Sequence, residues 1–145
     1  MRNRGFSLIE LIVAMGVGAV VLAVGYRAYV DVLRMQDVEN RRESMMLAVQ
    51  DAMRNIKTDV KSGAALAVTA NTLVIDGGRV VYRTKPDGIE RKTSDTRRTF
   101  EGAQAEFKPG PNRLPGVSMT IRAEDMIHRR PIRIEVAGYV SPRNR

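Results

Sequence analysis

The residue with the most chemistry to account for is Glu10, the one charged side chain between Phe6 and Tyr26 in an apolar run closed by Arg27. A carboxylate inside a membrane-length apolar segment is costly, and such a group is retained when it is paired, neutralised or lifted to the headgroups. Phe6 and Glu10 stand four residues apart, on one helical face with about 6 Å of rise between them. Glu10 is therefore a candidate half of an ion pair, with protonation or snorkelling to the headgroups as the simpler alternative.

No other group of residues offers comparable chemistry. His128 is the single histidine, set between Ile127 and Arg129-Arg130 in a segment that reads as a loop, and no cysteine is present. Neither a Cys-His nor a Ser-His-Asp arrangement can be argued from one such histidine, so the chain reads as a non-enzyme. Disulfides and thiolate metal sites are excluded. Asp76, Asp87, Glu124 and Asp125 do not follow the alternating oxygen-ligand loop of a calcium hand, and no metal or other cofactor is expected. The formal net charge is +8, and Arg97, Arg98, Arg129 and Arg130, with Arg143 and Arg145, form a candidate basic surface for nucleic-acid phosphates. With 4 tyrosines, 3 phenylalanines and no tryptophan, base stacking has little to build on. Solvated charge or contact with anionic headgroups is the first reading of that surface, and nucleic acid the alternative partner.

The element that positions Glu10 is an apolar helix. Phe6, Leu8, Ile9, Leu11, Ile12 and the valines that follow each favour insertion by about 0.3–0.6 kcal/mol, against a cost of about 3 for a central acid. The run of about 21 residues matches the roughly 20 needed to cross a hydrocarbon core. Arg2 and Arg4 place the leader in the cytoplasm and the rest of the chain outside. A conventional signal peptide cut at Ala23-Val24-Gly25 is the competing reading, but the run exceeds the usual ~7–15 residues and contains an acid.

Gly5-Phe6-Ser7-Leu8-Ile9-Glu10, behind a short basic leader and ahead of an apolar helix, resembles the processing motif of type IV pilins and type II secretion pseudopilins. The resemblance covers about the first 30 residues. It implies that a prepilin peptidase cuts between Gly5 and Phe6 and methylates the new amine of Phe6. A glycine before the cut permits close backbone approach by an enzyme. The resemblance also implies that Glu10 pairs with the N-terminal amine of a neighbouring subunit, so that without the cut there is no amine and no pair. The implied partners are other pilin or pseudopilin subunits through the N-terminal helix, the prepilin peptidase, the inner-membrane assembly platform and membrane lipid. The implied location is the bacterial inner membrane, single-pass, with the head periplasmic or extracellular and the subunit incorporated in a filament.

Beyond Arg27 the helical pattern becomes amphipathic. Met46, Val49, Met53, Ile56 and Val60 recur at spacings of three and four and form the core stripe. Arg27 with Asp31, Glu39 with Glu43 and Lys57 with Lys61 stand four apart, a mixture that gives the helix no net support. Lys61-Ser62-Gly63 is a stop, with the glycine suited to a left-handed cap. A helix from Phe6 to Ser62 would be roughly 85 Å long. Gly16, Gly18 and Gly25 each weaken it by about 1 kcal/mol, enough for local bending or melting.

The remaining residues read as β structure. Leu73-Val74-Ile75, Asp76-Gly77-Gly78 and Val80-Val81-Tyr82 form the clearest hairpin signal, and Pro86-Asp87-Gly88 makes a second turn. Phe100 to Phe107 reads as one strand, Lys108 to Pro115 as a loop, and the alternation at Val117 to Ile121 and Ile132 to Val136 as strands with one wet face. The expected class is α+β, a pilin-like lollipop whose long helix packs on a small antiparallel sheet. Its expected parts are a cleaved leader (1–5), a transmembrane half-helix (6–26), an amphipathic half-helix (27–62) and a β-rich head (63–145).

Within the family, the hairpin, the tyrosine-bearing strand and Asp87-Gly88-Ile89-Glu90-Arg91 are similar to the J-type minor pseudopilins and their minor-pilin relatives. Glu10 argues against the K-type tip subunit, which characteristically lacks the acid. The expected function is that of a structural subunit, a minor pilin or pseudopilin of a type IV pilus or type II secretion pseudopilus. The alternatives are a DNA-binding competence-pilus subunit and an anchored or secreted β domain behind a conventional signal peptide.

Overall fold

No proline falls between Leu8 and Ser62, and helix α1 runs unbroken across that span, Leu8–Ser62. Melting at Gly16, Gly18 and Gly25 does not occur; the helix is continuous through all three. This computed structural model describes residues 7–111, 115–127 and 130–143, with main chain alone at residue 130. The chain divides into two units, Met1–Asn40 and Arg41–Arg145. In the first, the described residues belong to α1 and its N-terminal cap, and their large apolar side chains from Leu8 to Val24 are exposed.

Among the described residues, the second unit holds the end of α1 and eight strands in two antiparallel sheets. Strands β1 (Leu66–Thr69), β2 (Thr72–Ile75), β3 (Val80–Lys85), β4 (Gly88–Thr93) and β5 (Arg97–Glu101) lie in sequence order in one sheet. Strands β6 (Ala103–Pro109), β7 (Val117–Ile127) and β8 (Arg130–Val140) form the other. The Asp-Gly turn folds as a short 3-10 segment, Asp76–Gly78, with Ile75 opposite Val80. Pro86 and Asp87 turn the chain between Lys85 and Gly88, which face each other.

Two sheets replace the expected single sheet, and the reason is local. The segment read as one strand from Phe100 to Phe107 breaks at Gly102, whose φ of +71° is open to glycine at little cost, so the chain leaves one sheet and begins the other. Lys108 and Pro109, read as loop, extend β6. Strand β1, missed in the sequence, is a four-residue edge element with half its residues in water. The sheets are joined where the Phe107 amide donates to the Ala70 carbonyl at 2.9 Å and the Thr84 hydroxyl to the Ala105 carbonyl at 2.6 Å.

The core stripe of α1 is Val49, Ala52, Met53, Ile56 and Val60, packed with Leu73, Ile75, Tyr82, Ile89, Phe107, Met119 and Ile121. Met46, expected in it, is half-buried. Gly63 does end the helix, but not as a left-handed cap, since its φ is not positive. Its amide donates to the Asp59 carbonyl at 3.0 Å, and a Cβ there would collide with the Ile75 side chain. Glycine is required at that position by close packing rather than by backbone handedness.

Asp76 fastens the helix exit to the hairpin. Its Oδ1 accepts the amides of Ala64 at 2.7 Å and Ala65 at 3.0 Å, and Oδ2 meets Arg79 at 3.1 Å. The Ala65 and Ala64 amides hold the Asp76 carboxyl below its usual range. Lys85 does the same for Glu90, and Lys108 for Glu106. A lowered folded-state value means that the unfolded chain takes up these protons first as pH falls. The stabilisation is therefore present at neutral pH and lost as pH drops through and below the ordinary carboxylate range. Thermal unfolding of the detergent-solubilised full chain should show a melting temperature that declines on acidification, with a shallower decline in Asp76→Asn. A melting temperature unchanged from pH 7 to pH 3 would contradict this.

Candidate functional site

The start of α1 is built by a reciprocal cap. Ser7 is the N-cap residue: its carbonyl accepts the Leu11 amide at 3.2 Å and its hydroxyl the Ile9 amide at 3.3 Å. Glu10 reaches back, and its Oε2 accepts the Ser7 amide at 3.0 Å. This is the Ser-x-x-Glu capping box, which satisfies two of the amides that a helix start leaves open. The sequence reading missed it, although the signal was there: serine followed three residues later by glutamate, ahead of an apolar run.

The cap changes what Glu10 can do. Among the described residues no basic side chain pairs with it, and its partner is a neutral amide one residue beyond Phe6. An ionised carboxylate has roughly four acceptor positions. One is used, so the carboxylate is oriented by its own helix start and still able to accept a cation. Gly5 and Phe6, the expected cleavage and methylation positions, lie outside the described residues, as do Arg2 and Arg4.

Around Glu10 the helix offers only apolar surface. Leu8 is 77% and Leu22 75% exposed, and the helix is long and apolar enough to cross a membrane, with none of its most apolar stretch buried in the fold. Lipid or a second apolar helix is the environment such a surface calls for.

Of the candidate basic surface, Arg97 and Arg98 are placed on β5, and both are ion-paired. Arg97 Nε meets Glu90 Oε1 at 3.1 Å, an acid that Lys85 Nζ also reaches at 3.1 Å. Arg98 pairs with Asp51 of α1 at 2.5 Å and lies over the Phe100 ring, 5.0 Å from its centre. Arg130 opens β8 in the other sheet, with its side chain outside the described atoms, and Arg129, His128 and Arg145 lie outside the described residues. Arg98 helps to hold the sheet on the helix, since it faces Arg91 across the strands and both reach acids on α1.

Arg91 belongs to the most enclosed polar cluster of the second unit. Its Nε donates to Asp59 Oδ2 at 2.8 Å and its second nitrogen to Asp59 Oδ1 at 3.1 Å, while the Tyr82 hydroxyl donates to the same Asp59 Oδ2. Tyr82 and Arg91 are directly opposite on β3 and β4, so one face of the hairpin delivers both to the helix. Burial, then the Asp59 hydrogen bond, raises the Tyr82 pKa above the usual tyrosine range, and the Asp59 hydrogen bond raises that of Arg91. Among the described residues no buried side-chain polar atom lacks a partner, so the cluster holds the fold rather than waiting for a ligand.

The acids considered as metal ligands are dispersed. Asp125 pairs with Arg41 at 3.0 Å, Asp76 is occupied as above, and among the described residues no group of three or more histidines, cysteines or acids could hold a metal.

Residues 1–26 match the prokaryotic N-terminal methylation motif. No curated protein and no solved structure gives a significant match. The match supports a pilin-type or pseudopilin-type precursor, and the family that carries this motif is structural rather than enzymatic. Motif and apolar helix together fit a membrane-anchored, single-pass protein.

Proposed function

We propose that this pilin-type precursor is cut between Gly5 and Phe6, methylated on the Phe6 amine and assembled through its N-terminal helix as a minor structural subunit of a type IV pilus or type II secretion pseudopilus. The observation that carries the reading is the carboxylate of Glu10, oriented by the Ser7 amide yet free to accept a cation, on an exposed apolar helix inside the methylation motif. Cleavage creates the missing cation four residues away, and the pair forms where lipid excludes water and unpaired charge is costly.

On this reading the partners are other subunits, the prepilin peptidase, the inner-membrane assembly platform and lipid. The leader faces the cytoplasm, and the β unit is periplasmic or extracellular. Mass spectrometry of the mature chain is the direct test: the expected N-terminus is methylated Phe6. A chain starting at Tyr26, after a conventional signal-peptide cut, would overturn the proposal. Nucleic-acid binding is the weaker alternative, because Arg97 and Arg98 are already spent on Glu90 and Asp51.

A further inference from the structure

Arg27 and Asp31 repeat the spacing of Phe6 and Glu10. In each pair a position that can carry positive charge precedes a carboxylate by four residues, and from 6 to 27, as from 10 to 31, the interval is 21 residues. That interval is three heptads. A straight helix drifts about 20° per heptad, so the second pair lies within roughly 60° of the first around the helix. The left-handed crossing common between membrane helices takes up such a drift.

Both residues are exposed. Among the described residues Arg27 has no ion pair, and Asp31 has only Arg34 at 3.8 Å, with both side chains 62% exposed, a geometry of little worth. The rise from Glu10 to Asp31 is about 32 Å, close to the roughly 30 Å of a hydrocarbon core. The two carboxylates therefore bracket the span.

If a neighbour's Phe6 amine meets Glu10, adjacent helices are staggered by four residues, and the same stagger brings the neighbour's residue 27 to residue 31. Resting on that proposed pairing, we infer that Arg27 of one copy pairs with Asp31 of a second copy of this chain, fixing the register of packed helices at both ends of the span. A lipid headgroup could satisfy Arg27 but supplies no reason for the matched interval, whereas a second copy brings both charges at the required offset. The outer pair lies in the headgroup region and is screened, so it trims register rather than driving association.

The chain has no cysteine, so two introduced thiols report a single contact. Two full-length copies with different tags, one Val20→Cys and the other Val24→Cys, are co-expressed with a prepilin peptidase, and the oxidised heterodimer is quantified. The stagger predicts efficient cross-linking, since 20 and 24 share the offset of 6 and 10. Arg27→Asp in the Val20→Cys copy should lower the yield about three- to tenfold, with a smaller fall for Arg27→Gln. Asp31→Arg in the other copy should restore it. Arg27→Asp in the Val24→Cys copy should leave the yield within about twofold, because that arginine does not face the thiol-bearing neighbour. Equal effects from either copy, or none from either, would overturn the Arg27–Asp31 pair and leave the Glu10 pairing standing. Absence of the heterodimer between otherwise unsubstituted copies would overturn the Arg27–Asp31 pair between copies and leave Glu10 to pair with other subunits.

Discussion

Glu10→Ala is expected to leave cleavage after Gly5 within about twofold of the unsubstituted chain while lowering incorporation into filaments at least tenfold. On the proposed reading cleavage acts on the bond beside Phe6 whereas docking needs the carboxylate, and close charge pairs at interfaces couple by roughly 1.5 kcal/mol or more. The capping box supplies the control, because alanine at position 10 also removes the acceptor of the Ser7 amide. Glu10→Gln keeps an acceptor and loses only the charge; it should fail in assembly as Glu10→Ala does. Ser7→Ala keeps the charge and loses the hydroxyl that caps Ile9, at about 1 kcal/mol of helix-end stability; it should still assemble. Immunodetection of processed and filament-borne protein reads both steps. Normal incorporation of Glu10→Gln would refute ion pairing, and failure of Ser7→Ala alone would transfer the role of the motif to the cap.

Asp59→Ala should be the most damaging substitution in the second unit. It removes the shared acceptor of Arg91 and the Tyr82 hydroxyl, leaving the guanidinium only the Tyr82 hydroxyl, 3.1 Å from its Nε, and the phenol proton without its acceptor. Breaking a buried pair from one side costs roughly 3–5 kcal/mol. Arg91 keeps 22% of its side-chain surface in water, so about 2–4 kcal/mol is expected here. For a unit of this size that is a drop in melting temperature of roughly 10–20 °C. Tyr82→Phe loses two hydrogen bonds, the one donated to Asp59 and the one accepted from Arg91 Nε, and should cost about 1–3 kcal/mol. The cluster also predicts an alkaline limit. With the Tyr82 pKa raised by burial, the unfolded chain loses that proton first, so stability falls as pH rises beyond about 10. Circular dichroism of the detergent-solubilised variants measures each effect, and an Asp59→Ala chain that melts within 2–3 °C or so of the unsubstituted one would show that the cluster contributes little.

Local signals were readable where one stretch of chain meets one kind of environment. The Asp76-Gly77 and Pro86-Asp87-Gly88 turns appear where their residue types place them, because turn geometry depends on a few adjacent residues. Val49, Met53, Ile56 and Val60 announced the buried face of α1 by their spacing. The boundary at Gly102 was harder. Phe100 and Phe107 flank an apolar-polar pattern that fits one strand as well as two, and only the destination of each half, in different sheets, separates them. The partners of Arg97 and Arg98 were out of reach in a similar way. In sequence they are two adjacent cations; in the fold Arg98 meets an acid 47 residues away and Arg97 a glutamate on the neighbouring strand.

Sequence alone determined the anchored end of this protein. The methylation motif and the apolar run are contiguous within residues 1–26 and the start of α1, and the lipid environment that such a run fits acts on a helix residue by residue. Tertiary structure alone decided what the other charges do. Asp59 as the shared acceptor of Tyr82 and Arg91, Asp51 as the partner of Arg98, and Asp76 as the clasp on the helix exit all depend on which strand lies opposite which. Strand register is a long-range property of packing, and no window of sequence contains both members of such a pair.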